Sequence, residues 1–262
     1  MMDWKFTALL CSLFIFGFLE HSYPFFHFKQ RFADRVQTNL SLGVLNSLIT
    51  NITTTLLLTW VWQQTLWQGL LHPIQPCLTF ALSVLLLDAY MYGWHWFVHS
   101  NEWGWRFHQV HHSDWAMNVS TAYRFHIVEV MMSHLPKILM IGVFGIPPSC
   151  VLVYETLYAV QLIFEHSNWE LNSKVDRWLS YIIVTPNYHR LHHSQQPEYS
   201  GSNYCSFLSI WDLIFQTRSY PQVPKGIRLG LDKPTRNNVV SLMTLPFESI
   251  KPEASWESQT ND

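Results

Sequence analysis

The stretch His95–His112, HWFVHSNEWGWRFHQVHH, puts five histidines into eighteen residues, at 95, 99, 108, 111 and 112. On a helix, His95 and His99 are four apart and share a face, as do His108 and His112, with His111 beside them. Downstream, PNYHRLHH repeats the second pattern at His189, His192 and His193. Three clusters together supply eight imidazoles. A tetrahedral site needs four, so eight suit two ions with positions left open for a small molecule. Spacing does not choose the metal, because imidazole accepts Zn, Fe, Cu and Ni alike.

The surrounding chain suits lipid better than water. Of 262 residues, 48% are hydrophobic and only 13% charged, well below the roughly 25% of soluble domains. The net charge of -2 and the absence of a basic stripe argue against a nucleic-acid partner. Cys11, Cys77, Cys150 and Cys205 are scattered and form no CxxC, which disfavours a disulfide framework or a thiolate metal site. No glycine-rich dinucleotide loop is present.

Four apolar regions are candidate spans: Phe6–Leu19, Leu40–Trp62, Cys77–Phe97 and Ser133–Phe164. The first is short for a bilayer core of about 30 Å and has a signal peptide as its alternative. Asn46, Asn51 and several threonines weaken the second. Gly145, Pro147 and Pro148 interrupt the fourth, which predicts a tight helical hairpin or a kinked pair. Lys29, Arg31 and Arg35 lie between the first two regions, and the loop Gln63–Pro76 carries no charge. The positive-inside rule therefore puts the histidines at the cytoplasmic membrane surface, in the endoplasmic reticulum of a eukaryote or the inner membrane of a bacterium. That orientation makes Asn118, in one of three glycosylation patterns (Asn39, Asn51, Asn118), a poor acceptor. The predicted organisation is N-terminal membrane helices over 1–76, a histidine-bearing catalytic domain over 77–220 and a polar tail over 221–262. The final segment Lys251–Asp262 is expected to be disordered.

Other groups extend the metal-site hypothesis. His166, at the end of the fourth region, is a ninth candidate ligand, and Glu170 a weaker one. His126 is a ligand or a supporting group, and Glu129 is placed to orient an imidazole. Asp88 is an acid inside an apolar helix, costly unless it has a role. It shares a stripe with Tyr92, His95 and His99, so it either orients a ligand imidazole or bonds a neighbouring helix. His21, His27, His72 and His134 are isolated and are read as ordinary residues.

At this point the chain resembles the membrane fatty acid hydroxylase and sterol desaturase superfamily. DAYMYGWHWFVHS (88–100) is similar to its first histidine box. WRFHQVHHSDWAMNVSTAYRFHIVE (105–129) resembles the second box and the Arg-x-His segment after it. TPNYHRLHHSQQPEYSGSNYCSFLSIWDLIFQT (185–217) resembles the third box and the Asn-Tyr-Gly, Trp-Asp and Phe-Gly-Thr signature. Departures are Trp96 for an arginine, the missing proline in His126–Glu129, and Cys205 and Gln216 for signature glycines.

The resemblance implies an all-α integral membrane bundle of about four spanning segments, with a cytosolic helical cap holding a histidine-rich dimetal site. It implies two non-haem iron ions held by His95, His99, His108, His111, His112, His189, His192 and His193, with His166 as an addition. The expected activity is an O2-dependent monooxygenase that hydroxylates or desaturates a lipid, a sterol, fatty acyl chain or relative. Electrons would come from an external donor such as cytochrome b5 or a ferredoxin, since the chain has no flavin, haem or iron–sulfur motif. The chemistry agrees: an unactivated C–H bond needs an oxidant that only a cofactor supplies. Two readings stand against it. A zinc-dependent membrane hydrolase needs fewer ligands but lacks an HExxH here. A non-enzymatic metal transporter needs a polar path across the bilayer, where only Asp88 interrupts the third apolar region.

Overall fold

The computed structural model describes residues 3–28, 32–64, 69–72, 74–221, 223, 225–233 and 236–248. Lys29 and Arg31, on which the orientation partly rests, and the tail Lys251–Asp262 lie outside the described residues. The fold is all-helical, with three isolated β-bridges among the described residues. In order, the long helices are α1 (Asp3–Ser22), α2 (Phe32–Gln63), α3 (Pro76–Ser100), α4 (Glu102–His112), α5 (Ile127–Phe144) and α6 (Pro148–His166). Short helices follow: α7 (Ser173–Leu179), α8 (Pro186–His192), α9 (Pro197–Ser200), α10 (Ile210–Ile214) and α11 (Val239–Thr244).

Four helices, α1, α2, α3 and α5, are long and apolar enough to cross a membrane. Their outward faces carry large exposed apolar side chains such as Phe14, Leu48, Ile52, Leu56 and Leu139, which a bilayer would cover. The fourth apolar region is a hairpin, α5 and α6, turning at Gly145 in the left-handed conformation (φ 67°) before Pro147 and Pro148. Glycine takes that backbone without a Cβ clash, and the prolines start the next helix. α5 begins six residues earlier than the apolar run, because His126 caps it.

α2 is longer than the apolar stretch Leu40–Trp62. At about 1.5 Å per residue its 32 residues reach about 48 Å, beyond a bilayer core. Its first turns enter the polar cap, where Asn39 Nδ2 donates to Asp114 and Ser120. α1 ends at the same cap: a Glu20 oxygen accepts from the Val119 and Asn168 backbone N–H groups. Thus α1 ends, α2 begins, α3 ends and α5 begins at the histidine end of the bundle.

The cap is built on buried polar hubs. Arg124 is fully buried and donates to Val110 O, Ser113 Oγ, Asn39 Oδ1 and Asn237 Oδ1. Asp212 accepts from Tyr188 Oη, Tyr204 N, Cys205 N and Thr217 Oγ1. The segment expected to be a polar tail from Pro221 is partly core. Ile227 and Leu229 pack with Phe25, Met117 and Leu191, and Leu242 of α11 packs with Leu42 and Val110. Its prolines masked a few well-spaced apolar residues that pack on the cap. The four cysteines are free. Asn39 and Asn118 are buried in the cap, which removes both as glycosylation acceptors.

Candidate metal centre

α3 delivers His95 and His99, and its last turn runs straight into α4. Asn101 makes this corner by accepting from the Trp103 and Gly104 backbone N–H groups. A Cβ on Gly104 would sit 2.6 Å from Val98 Cα, so glycine is what lets α4 fold back against α3. α4 then presents His108, His111 and His112, α6 ends on His166, and α8 brings His189 and His192, with His193 at its C-cap.

The nine imidazoles sort into two groups. His95, His99, His108, His112 and His192 form one; His111, His166, His189 and His193 form the other. In each, one ligand-type atom per residue lies within 4.8 Å of every other. Each HxxHH box divides between the groups. His108 and His112 share one helix face and one group while His111 turns to the other; His189 and His193 pair likewise, and His192 crosses over.

The rings are held by their outer nitrogens. His95 Nδ1 bonds Tyr204 O at 2.8 Å, His192 Nδ1 bonds Ser202 O at 2.7 Å and His108 Nδ1 bonds Glu129 Oε1 at 2.7 Å. His166 Nδ1 bonds Leu162 O at 2.7 Å. Such bonds set the tautomer and aim Nε2 inward. The Nε2 atoms of His95, His99, His108, His112 and His192 are buried with no hydrogen-bond partner among the described residues. Five orphaned acceptors facing one another are costly unless a cation sits between them. In the second group, His166 Nε2 stands 3.0 Å from His111 Nε2 and 3.1 Å from His189 Nε2, which is 3.1 Å from His193 Nε2. Four converging nitrogens of this kind suit an ion. The residues present therefore fit two metal ions with imidazole ligands.

Electrostatics agree. Burial, reinforced by neighbouring imidazoles, holds His108, His111, His112, His189, His192 and His193 well below the usual histidine value of 6.5. They stay neutral at physiological pH, which is the ligating form.

The supporting groups part company. Glu129 reaches His108 as expected. Asp88 does not touch a histidine: its carboxylate accepts from Trp211 Nε1 (2.8 Å), Leu208 N and Tyr154 Oη (both 3.2 Å). It sits two helical turns before His95, so it ties α3 to α6 and α10 instead of orienting a ligand. His126 lies outside both groups and caps α5, its Nδ1 accepting from Val128 N. Glu170 is at the surface, paired with Lys225. One group was not anticipated from the sequence: Glu165 is fully buried, with an oxygen 3.7 Å from His166 Nδ1 and from His189 Nε2. An acid preceding a helix-terminal histidine carries no spacing signal that would have marked it.

Both groups border a cavity of about 750 Å³ between α1, α2, α5 and α6. His95, His108, His111, His166 and His189 line its inner end, and Leu9, Leu58, Ile138, Ile141 and Val151 its apolar walls. The site thus joins a histidine-lined pocket that fits metal to a largely apolar cavity within the bundle.

Comparison with known proteins matches this architecture. The fatty acid hydroxylase family model matches residues 80–217, which is 138 of the 262 residues. An alkylglycerol monooxygenase of Danio rerio is 32% identical over 62% of this chain and 35% of its own length. The ornithine lipid hydroxylase OlsE of Rhizobium tropici is 25% identical over 63% of this chain and 49% of its own. A very-long-chain aldehyde decarbonylase, GL1-7 of Oryza sativa subsp. japonica, is 28% identical over 52% of this chain and 23% of its own. The matched region therefore spans a quarter to a half of the length of these relatives, and no solved structure matches. With its three histidine boxes gathered into one buried centre, the chain belongs to the fatty acid hydroxylase family.

Proposed function

We propose that the chain is a membrane-bound oxygenase that hydroxylates or desaturates a lipid with O2 and externally supplied electrons. The single observation that carries this reading is the pair of buried imidazole groups opening on one bundle cavity. His95, His99, His108, His112 and His192 would hold one iron, and His111, His166, His189 and His193 the other. Bound iron would supply the O2 activation that no side chain can. The chain's own share is to hold neutral rings in place, exclude water and lay an apolar chain beside the centre. All-imidazole ligation would leave such ions highly cationic, unlike carboxylate-rich di-iron bundles. Relatives named as lipid monooxygenases and hydroxylases support the reaction class.

The segment 77–220 is the catalytic unit in this reading, with residues 1–76 walling the cavity. The histidine end faces the cytoplasm, where cytochrome b5, a ferredoxin or a similar donor would dock. Reporter tags at residue 70 and at the C-terminus should then fall on opposite membrane faces; both on one face would refute the orientation. The activity is tested by lipid oxidation coupled to O2 consumption in detergent with a reducing system. His111→Ala and His192→Ala should each abolish it, and near-normal turnover in either would contradict the dimetal assignment.

A further inference from the structure

The cavity has a second polar patch that the metal centre does not use. Lys137 of α5 and Glu155 of α6 form an ion pair with Nζ 2.9 Å from the carboxylate, and both line the cavity. Lys137 lies eight residues beyond Glu129, about 12 Å further along α5 from the contact with His108. Lys137 is buried within a candidate spanning helix, where an ionisable residue is costly, and its partner Glu155 is only partly buried, so a role beyond stability is expected.

The wall between the histidines and this pair is also polar on one side. Asn46, Thr50 and Thr54 recur every four residues along α2 and line the same cavity. Thr50 is satisfied by Asn46 O, whereas Asn46 Oδ1 and Thr54 Oγ1 are buried with no partner among the described residues. Asn46 Nδ2 donates to Phe125 O, which leaves Oδ1 as an acceptor in need of a donor. An ionised carboxylate has no proton to offer it. Lys5 and His134 also border the cavity, Lys5 only two residues inside the start of its span.

We propose that Lys137 and Glu155, with Thr54, hold the uncharged hydroxyl-bearing end of the lipid. This rests on the oxygenase reading and names its substrate class: a long apolar chain carrying an alcohol group. The pair is self-neutralised, so it both donates and accepts, which matches a hydroxyl. A hydrocarbon would leave Thr54 Oγ1 unsatisfied, and an ionised acid would have to displace Glu155 from Lys137. Anchoring the hydroxyl here would also decide which carbon reaches the histidines.

The test is binding, which needs neither O2 nor turnover. Purified protein immobilised in detergent is loaded with radiolabelled octadecan-1-ol, and unlabelled octadecan-1-ol, octadecane and octadecanoate compete. The alcohol should displace label at about a 10-fold lower concentration than the alkane, the worth of about one hydrogen bond to a charged group. Lys137→Met/Glu155→Gln should erase that preference, with melting temperature and metal content checked alongside. Thr54→Val, which disturbs no charge, should reduce it several-fold even if the double variant fails to fold. Equal displacement by alcohol and alkane, tighter binding of octadecanoate, or a preference that survives Thr54→Val would each overturn the proposal. Alcohol preference in a protein that never oxidises lipid would keep this site and sink the oxygenase; turnover without the preference would do the reverse.

Discussion

Glu129 and Gln216 each make a claim that one substitution can test. Glu129 is the only carboxylate bonded to a histidine of the centre through Nδ1 at hydrogen-bond distance among the described residues, holding His108 at 2.7 Å. Glu129→Gln should weaken metal affinity by about 10-fold while the fold persists, since such supporting bonds commonly contribute 10–100-fold. Unchanged affinity in a metal titration would show that His108 is positioned by packing alone. Gln216 stands where the resembling family has glycine and adopts φ 58°, a left-handed backbone that costs a side-chain-bearing residue about 1 kcal/mol. Gln216→Gly should raise the melting temperature, and a fall would show that the side chain makes up for the strain. At this scale the eight box histidines were legible because i, i+3 and i, i+4 spacing survives any tertiary arrangement, whereas His166 was a candidate only from its place at the end of the fourth apolar region. Their division into five and four was not, because it depends on how α4 and α8 cross. Asp88 looked like an imidazole partner on its own helix stripe, yet Trp211, 123 residues away, claims it.

Hydropathy found the helices, and their ends were set by polar contacts that hydropathy ignores. α2 gained its first two turns from Asn39, which bonds Asp114 and Ser120 in the cap. α5 started early because His126 caps it, and the α5–α6 hairpin was visible in Gly145 and the prolines. The residues Ile227, Leu229 and Leu242 were lost to the reading because isolated apolar residues among prolines show no period. The α3–α4 corner is the element on which the site most depends. Gly104→Ala would force a Cβ against the Val98 backbone, an overpacking that costs about 1–3 kcal/mol. Because α4 carries three of the histidines, the variant should lose metal in proportion to its loss of stability. Full metal content at wild-type melting temperature would show that the corner has slack.

For the whole molecule, the buried histidines link stability to pH. Their folded pKa values lie below the unfolded value of 6.5, so the unfolded chain binds more protons as pH falls. The histidine contribution to the melting temperature of the metal-depleted protein should be full above about pH 6.5 and be lost progressively below it. Imidazole NMR signals that titrate at or above pH 6.5 in the folded, metal-depleted protein would mean that the rings are charged in the fold and not poised to bind metal. The bundle, the cap and the cavity converge on that poise: apolar helices surround the centre, the cap's hydrogen bonds aim the rings, and the cavity opens beside them. The most direct measurement is the metal content of the detergent-purified chain, with His111→Ala and His192→Ala beside it. The account predicts two irons per chain, one for each histidine group. His111→Ala should deplete the group of four and His192→Ala the group of five. Zinc alone, retained after reconstitution with ferrous iron, or a folded and active protein that holds no metal, would contradict it.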